Sequence, residues 1–309
     1  MTRLLPILLC SLSSLAPGLG QQAKSEKPPA LIQVLIVDGQ NNHGWLPTTS
    51  ALRAILAQSG AFAVNSTMSP GRGAPRAAWN QWNPAFGKAD VVVVNYNGLL
   101  WPETVRNAFE KFVSEGGGVV FVHAANNPFQ GWKAYNQMIG LGWRNNKFDK
   151  RLTIDDATGK QIITPRGEGP GAGHGPQHAF MIKVRQPDHP IMKGLPPTWR
   201  HGRDELYHGQ RGPAANMTVL STAFSAKDKR GTQAHEPITW WIPFGKGRCV
   251  TTVMGHHGKR QKDHPSLHCV GFQTVLQRSV QWAARRKVTI PVPKNFPSSE
   301  VSIQAPKPR

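Results

Sequence analysis

Three short runs of β-branched and other apolar residues constrain the fold of this chain more than any other feature. They cover residues 31–37, 91–94 and 119–122, and almost every position in them is apolar. Unbroken runs of this kind are typical of strands that are buried on both faces of a parallel sheet, because helices cover both sides of such a sheet. The runs therefore predict an α/β fold.

Helical periodicity fills the chain between these runs. Residues 47–60 carry apolar side chains on one face, after an opening proline and before a closing glycine. Residues 105–113 follow the i, i+3, i+4, i+7 pattern and end at a run of glycines. Strand and helix alternate in this way over residues 31–125, which predicts a doubly wound, mostly parallel sheet.

The second half of the chain is less regular. Residues 165–178 are dominated by glycine, proline and histidine and are predicted to form a loop. Strand-like runs and a closing helix follow, and a Gly-Lys-Gly turn between the last two runs indicates a hairpin. The predicted strands cover residues 180–184, 217–224, 238–244 and 249–253, and the predicted helix covers residues 272–286.

Both ends of the chain are predicted to lie outside the fold. Residues 1–20 have a basic start, an apolar stretch too short to span a bilayer, and small residues before Gln21, which are the features of a cleaved signal peptide. Residues 21–30 are predicted to be a linker, residues 31–286 one domain, and residues 287–309 a flexible tail containing Pro and Lys. We expect a secreted or periplasmic protein without membrane insertion.

The charge of the chain is strongly positive but dispersed. Its 37 Lys and Arg residues against 17 Asp and Glu give a formal charge of +20. No basic run, reading helix or stacking platform accompanies this charge, so we expect no nucleic-acid partner. Beyond the predicted signal peptide the cysteines are Cys249 and Cys269. Their spacing fits no zinc motif, and the sequence leaves open whether they form a disulfide.

His123 and His43 follow predicted strands. His123 comes directly after residues 119–122, and His43 lies in the loop after residues 31–37. The carboxyl ends of parallel strands meet at one edge, where open α/β sheets bind ligands. We interpret both as site residues, against the alternatives of a core histidine at the first position and an ordinary loop histidine at the second. Trp45 could stack on a sugar ring or cap the core.

The segment RDELYH supplies a carboxylate and an aromatic hydroxyl. In an extended chain Glu205 and Tyr207 would share one face, and Asp204 and His208 the other. A carboxylate that faces histidines in a cleft can be a general base or a metal ligand. The alternative is a surface salt bridge between Glu205 and a neighbouring arginine.

Four further histidines lie near the predicted loops. His256 and His257 are adjacent, so an extended backbone would direct only one of them to the sheet edge. His174 and His178 lie in the Gly-Pro-rich segment and are predicted to be exposed loop residues.

The order of motifs along the chain resembles the trehalose-utilisation (ThuA-like) family. The motifs are NNHGW, EGGGVVFVHAA, HPIMKGLP, DELYH, EPITWW, GKGRCVTTVMGHH and QWAA. The resemblance implies a flavodoxin-like, class I glutamine-amidotransferase-like fold and a role in handling disaccharides or their oxidised derivatives. It also implies that His256, rather than His257, faces the site and that Glu205 lies at the same cleft.

One activity is not expected despite the implied fold. Glutamine amidotransferases place a nucleophilic cysteine on the sharp turn after a Gly-rich strand. The corresponding run here carries His123, and neither Cys249 nor Cys269 is close to it in sequence. Without a thiolate the acyl-enzyme chemistry of that class cannot proceed.

His43, His123, Glu205 and His256 together form a candidate constellation. Three imidazoles and one carboxylate could bind a divalent metal, Zn or Mn, and leave an open position for water. They could equally act without a metal as acid–base groups on a sugar. An ordinary glycosidase is not expected, because it needs two facing carboxylates and Glu205 has no evident partner of that kind.

We therefore expect an exported carbohydrate-processing enzyme, a hydrolase or lyase, whose partner is a small-molecule saccharide. The substrate would be a disaccharide, a glycoside or its keto derivative. A non-catalytic sugar-binding module of the same fold is the alternative. The predicted catalytic residues are His123, Glu205 and His256, and the predicted substrate-binding residues are His43, Trp45 and Tyr207.

Overall fold

The computed structural model describes residues 30–305, which form a central β-sheet between helices. The predicted signal peptide, residues 1–20, and almost all of the predicted linker lie outside the described residues. The strands are β1 (Ile32–Asp38), β2 (Phe62–Met68), β3 (Val91–Val94), β4 (Gly118–Val122), β5 (Arg151–Ile154), β6 (Gln161–Thr164), β7 (Gly173–His174), β8 (Met181–Val184), β9 (Thr198–Arg200), β10 (Tyr207–His208), β11 (Thr218–Phe224), β12 (His235–Phe244) and β13 (Gly247–Thr252). The α-helices are α1 (Trp45–Gln58), α2 (Arg76–Gln81), α3 (Glu103–Ser114), α4 (Lys133–Ile139), α5 (Pro265–His268) and α6 (Val270–Arg285).

Parallel strands form the first half of the sheet, in the order β2-β1-β3-β4-β13. This is the flavodoxin-like 2-1-3-4-5 order, in which the direction of chain progression reverses between β1 and β3. The runs predicted at residues 31–37, 91–94 and 119–122 are the neighbouring strands β1, β3 and β4. The prediction of parallel neighbours is confirmed, and so is the doubly wound α/β class.

Successive residues of the parallel strands pack into opposite helical layers. In β3, Val91 and Val93 belong to the core beneath α1 and α6, whereas Val92 and Val94 belong to the core beneath α3 and α4. All four are completely buried. A strand that is covered on both faces needs apolar residues at every position, which explains why these runs show no alternation.

The second half of the sheet is antiparallel and continues in the order β12-β11-β8-β9. Gly245 and Lys246 join β12 to β13, with Phe244 paired to Gly247, so the predicted hairpin is confirmed. Because β12 runs in the opposite direction, β13 returns parallel to β4 and lies beside it. The carboxyl end of β13 therefore lies at the same edge as the ends of β1, β3 and β4.

The C-terminal segment differs from its prediction. The sequence predicts a flexible tail at residues 287–309, but the described part, residues 287–305, lies against the domain. The ring of Phe296 packs on that of Trp199 with centroids 5.4 Å apart, and Val292 also packs against the core. The apolar side chains that lie between the prolines of this segment pack against the core. The sequence predicts a flexible segment because its overall composition is rich in proline and polar residues.

Neither a disulfide nor a membrane-spanning helix is present among the described residues. Cys249 and Cys269 are both buried and free. No helix in residues 30–305 combines the length and the apolar composition that crossing a bilayer requires.

Candidate active site

Three histidines stand at the carboxyl edge of the parallel strands. His43 follows β1, His123 follows β4 and His256 follows β13. The last residue of β13, Thr252, is opposite the last residue of β4, Val122, and this register brings His256 beside His123. The ring centroids lie 4.9 Å apart for His43 and His123, 5.0 Å for His43 and His256, and 5.3 Å for His123 and His256.

His123 has a strained backbone conformation. Its φ of 49° lies in the left-handed region, which residues other than glycine rarely adopt. It is the first residue of a 3-10 turn, His123–Asn126, directly after β4. Its Nδ1 is hydrogen-bonded to the carbonyl oxygen of Val253 at 2.7 Å. Strain of this kind persists only where the surrounding structure fixes it, and it is frequent at functional sites.

The carboxylate of Glu205 lies among the three histidines. Its oxygens are 3.6 Å from Nε2 of His123, 3.8 Å from Nε2 of His43 and 3.1 Å from Nε2 of His256. The donor atoms of these four side chains all lie within 4.8 Å of one another. The neighbouring Arg203 pairs with an aspartate instead, so it does not hold Glu205 in a surface salt bridge. We refer to His43, His123, Glu205 and His256 as the cluster.

Asp204 fixes the two backbone segments that carry Glu205 and His256. Its carboxylate accepts hydrogen bonds from the backbone N–H groups of Glu205 at 2.7 Å, His256 at 3.1 Å and Gly255 at 2.9 Å. The side chain is completely buried and pairs with His201 at 2.8 Å. Asp204 therefore acts as a positioning residue behind the cluster. The alternation in RDELYH predicts that Asp204 lies on the face opposite Glu205.

The remaining ring nitrogens of the cluster histidines also have partners. Nδ1 of His43 lies 3.2 Å from Oδ1 of Asn41, and Nδ1 of His256 lies 3.2 Å from Nε2 of Gln177. The third ring is held by the backbone carbonyl described above. All three rings are thereby oriented with Nε2 toward the carboxylate.

Of the predicted substrate-binding residues, His43 belongs to the cluster, and Tyr207 and Trp45 lie beside it. Tyr207 is buried, and its Oη lies 3.1 Å from Nε2 of His123. Trp45 is the first residue of α1 and is half-buried. Together with His43 it lines a cavity of about 400 Å³.

His174 also reaches the cluster, although its sequence context predicts an exposed loop residue. Its Nε2 lies 3.7 Å from Oε1 of Glu205, and its ring stacks over that of Tyr207 with centroids 6.3 Å apart. The side chain is 36% exposed, so it contacts both the cluster and solvent. The position follows from the pairing of β7 with β10, which are far apart in sequence. Local sequence offers no signal for that pairing.

His257 points away from the cluster. Its Nδ1 lies 3.1 Å from Nδ1 of His264. Of the two adjacent histidines, only His256 faces the carboxylate, as the geometry of an extended chain requires.

The pKa values of the four cluster side chains are shifted in different directions. Burial alone would raise the pKa of Glu205, but hydrogen bonds with His123 and His43 hold that pKa well below its usual range. Burial would lower the pKa of His123, but the interactions with Glu205 and Asp204 outweigh burial and raise it. Burial lowers the pKa of His43, and burial together with the charge of His123 lowers the pKa of His256 to about 4. In the metal-free cluster the surroundings thus favour the ionised form of Glu205, the protonated form of His123 and the neutral forms of His43 and His256.

This arrangement can support two kinds of chemistry. A protonated and a neutral imidazole beside one carboxylate can donate and accept protons on a single substrate. The same nitrogen and oxygen atoms are also donors that divalent metal ions prefer. Among the described residues, neither Cys249 nor Cys269 belongs to the cluster, so it lacks the nucleophile of the glutamine amidotransferases.

Comparison with known proteins agrees with the fold and the motifs. The family model ThuA, described as trehalose utilisation, matches residues 33–283. A ThuA-like protein of known structure from Parabacteroides merdae is 38% identical, with a TM-score of 0.84 over 89% of this chain and 98% of that chain. A second ThuA-like protein, from Bacteroides uniformis, is 16% identical, with a TM-score of 0.54 over 87% of this chain and 97% of that one, and it supports the fold alone. No curated protein matches the chain significantly. Since the family match spans residues 33–283 and includes the whole cluster, the chain belongs to the ThuA family of trehalose utilisation.

Proposed function

We propose that the protein is an exported carbohydrate-processing enzyme that acts on a disaccharide, a glycoside or the keto derivative of either. The family description supports the substrate class. The observation that carries the proposal is the convergence of His43, His123, Glu205 and His256 at the carboxyl edge of the sheet.

A purely structural role does not account for this convergence. A buried carboxylate needs pairing, but one protonated partner would be sufficient for Glu205. Here three imidazoles converge on it, and their side chains are only 4 to 13% exposed. Groups whose pKa values are shifted in opposite directions within one cleft are characteristic of reacting centres.

The cavity beside the cluster suits a small saccharide. Its volume of about 400 Å³ is within the range of small-molecule sites. Trp45 offers an aromatic face against which a sugar ring can stack. Arg72 and Lys259 also line the cavity and can donate hydrogen bonds to hydroxyl or carbonyl oxygens.

A keto sugar matches the proton-carrying groups of the cleft. A base removes a proton from the carbon next to the carbonyl, and the released electron pair forms a carbon–carbon double bond. The bond to the aglycone oxygen breaks in consequence, and an acid supplies a proton to that oxygen. His256 and His123 can fill these two roles in the metal-free protein. His174 lies beside Glu205 and is partly open to solvent.

A substrate screen with one variant tests the function. The purified protein is incubated with trehalose, other disaccharides and their oxidised keto derivatives, and the products are identified by mass spectrometry. We expect one of these compounds to be converted. We expect His123→Ala to lower kcat/KM by at least about 100-fold, the smaller end of the contribution of a positioned proton-transfer group.

His257→Ala is the matched control, because it removes a neighbouring histidine outside the cluster and should retain turnover. Saccharide binding without conversion would show a sugar-binding module instead of an enzyme. A protein that neither binds nor converts any saccharide would contradict both functions.

Export is the part of the proposal that depends on residues 1–20. The apolar stretch and the small residues before Gln21 support cleavage at that position. The intact mass of the exported protein should correspond to a chain that begins at Gln21. An exported form that retains Met1 would contradict cleavage.

A further inference from the structure

We propose that the cluster binds one divalent first-row metal ion, Zn²⁺ more tightly than Mn²⁺. The ligands are Nε2 of His43, His123 and His256 and a carboxylate oxygen of Glu205. The inference rests on the proposed function in that both concern the same cleft, but it requires no particular sugar.

The spacing of the donor atoms fits a metal site. Ligands at about 2.1 Å from a metal ion are separated from one another by roughly 3 to 3.5 Å in tetrahedral or octahedral geometry. Oε2 of Glu205 lies 3.6 Å from Nε2 of His123 and 3.8 Å from Nε2 of His43, and its other oxygen, Oε1, lies 3.1 Å from Nε2 of His256. One donor atom from each of the four side chains lies within 4.8 Å of the other three, so the side chains would close in slightly around a bound ion.

The outer contacts of His123 and His43 favour ligation through Nε2. A metal-binding histidine usually donates its other ring N–H to a carbonyl or carboxylate oxygen, which fixes the tautomer and the ring orientation. The carbonyl of Val253 can only accept, so the Nδ1 of His123 at 2.7 Å carries the hydrogen. The Oδ1 of Asn41 also can only accept, so Nδ1 of His43, at 3.2 Å from it, carries the hydrogen as well. Nε2 of a neutral ring held in this way presents its lone pair to the centre of the cluster.

The donor set indicates which ion is preferred. Imidazole nitrogen suits zinc, and a given site generally binds Zn²⁺ more tightly than Mn²⁺. The single carboxylate makes the site compatible with the harder Mn²⁺ as well. Partial exposure of His43 and His174, at 13% and 36%, gives an ion a path from solvent to the cluster.

A bound ion would complement the proposed carbohydrate chemistry. It would polarise a carbonyl or hydroxyl oxygen of the sugar as a Lewis acid. The Nε2 atoms of its three histidine ligands would then be occupied. His174 and Tyr207, which border the cluster without belonging to it, remain to carry protons.

Metal binding can be measured directly on the protein without a polyhistidine tag. The protein is stripped with a chelator, and calorimetric titrations with ZnCl2 and MnCl2 are followed by elemental analysis of the dialysed complex. We expect one Zn²⁺ per chain, weaker binding of Mn²⁺, and a higher Tm in the presence of Zn²⁺. Failure of the folded protein to bind Zn²⁺ in a one-to-one ratio would overturn the proposal.

Ligand variants locate the ion. His256→Ala and Glu205→Gln should each weaken Zn²⁺ binding by more than about 10-fold, a loss that even the outer partners of metal ligands can cause. Circular dichroism and the Tm of the apo forms show that each variant is folded. His257→Ala is the matched control and should bind Zn²⁺ like the wild type. Loss of binding in His257→Ala alone would place the ion on the His257–His264 pair and overturn the proposal.

The two proposals fail in distinguishable ways. Stoichiometric Zn²⁺ binding at the cluster without turnover of any saccharide supports the metal site and contradicts the enzymatic function. Turnover that survives complete chelation, with no measurable metal binding, supports the function and overturns the metal site.

Discussion

Asp204 controls the geometry of the cleft although its side chain lies outside it. Its carboxylate accepts backbone hydrogen bonds from both Glu205 and His256, so it sets the separation of the two side chains that face each other most closely. Burial would lower the pKa of His201, but interactions with Cys269 and Asp204 raise it to about 9. A protonated His201 thus balances the charge of Asp204 in a region without solvent.

Asp204→Asn should therefore destabilise the fold and disturb the cluster together. The amide presents only one acceptor atom to three backbone donors, and the buried cation of His201 loses its partner. Breaking a buried pair by removing one member costs about 3 to 5 kcal/mol. Urea denaturation should show a loss in this range, and NMR titration should show the pKa of His201 falling. Asp263→Asn, in an exposed pair with Arg203, is the control and should change the stability by less than about 1 kcal/mol. Equal stabilities of the two variants would contradict the positioning role.

At the scale of secondary-structure elements, the site depends on β13 lying beside β4. His256 reaches the cluster only because β13 ends at the same edge of the sheet as β4. Gly255 follows the last residue of β13 by three positions. Gly255 has a φ of 109°, which side chains strongly disfavour. A Cβ atom at this position would approach both Phe272 and Val122 to 3.2 Å.

Gly255→Ala should displace His256 from the cluster. Alanine is incompatible with the positive φ, so relief of strain would shift the backbone after β13, at a cost of about 1 kcal/mol or more in the free energy of unfolding. We expect Zn²⁺ affinity and turnover to fall along with the Tm. Gly258→Ala is the control in the same loop, since its φ is ordinary and its added Cβ would meet neighbours at 3.5 Å. Wild-type affinity in Gly255→Ala would show that the glycine does not determine the position of His256.

At the scale of the whole molecule, buried histidines link stability to pH in two opposite directions. The pKa values of His189, His256 and His257 are lowered to about 4, and burial is the largest cause in each case. In the unfolded chain these groups titrate near 6.5, so between about pH 4 and 6.5 the unfolded state binds more protons. His201 behaves oppositely, because the folded state keeps its proton up to about pH 9.

The metal-free protein should accordingly be less stable on both sides of about pH 6.5. Acidification from about pH 6.5 to 4 removes the contribution of the neutral histidines, and a rise from about pH 6.5 to 9 removes that of protonated His201. Urea denaturation with a chelator present measures both limbs. His189→Asn should flatten the acid limb by up to about 1.4 kcal/mol per pH unit. An acid limb that this substitution leaves unchanged would contradict the assignment of His189.

The sequence by itself determined the parallel half of the sheet and part of the site. Burial on both faces dictates an unbroken apolar run, so β1, β3 and β4 could be recognised from local composition. His43 and His123 follow two of these strands, and chain direction alone places them at one edge. The packing of residues 287–305 on the domain cannot be recognised from local composition, because their apolar positions are dispersed among prolines.

Only the tertiary structure decided how the other half of the site assembles. Glu205 precedes β10, a strand of only two residues. His174 joins the site because its strand, β7, pairs with β10. His256 lies beside His123 because β13, although formed in an antiparallel hairpin, is parallel to β4. A local sequence pattern indicates which of its own residues are buried and whether they repeat with the period of a helix or of a strand. Which distant strands become neighbours depends on the packing free energy of the whole chain, and the position of these side chains follows from that packing.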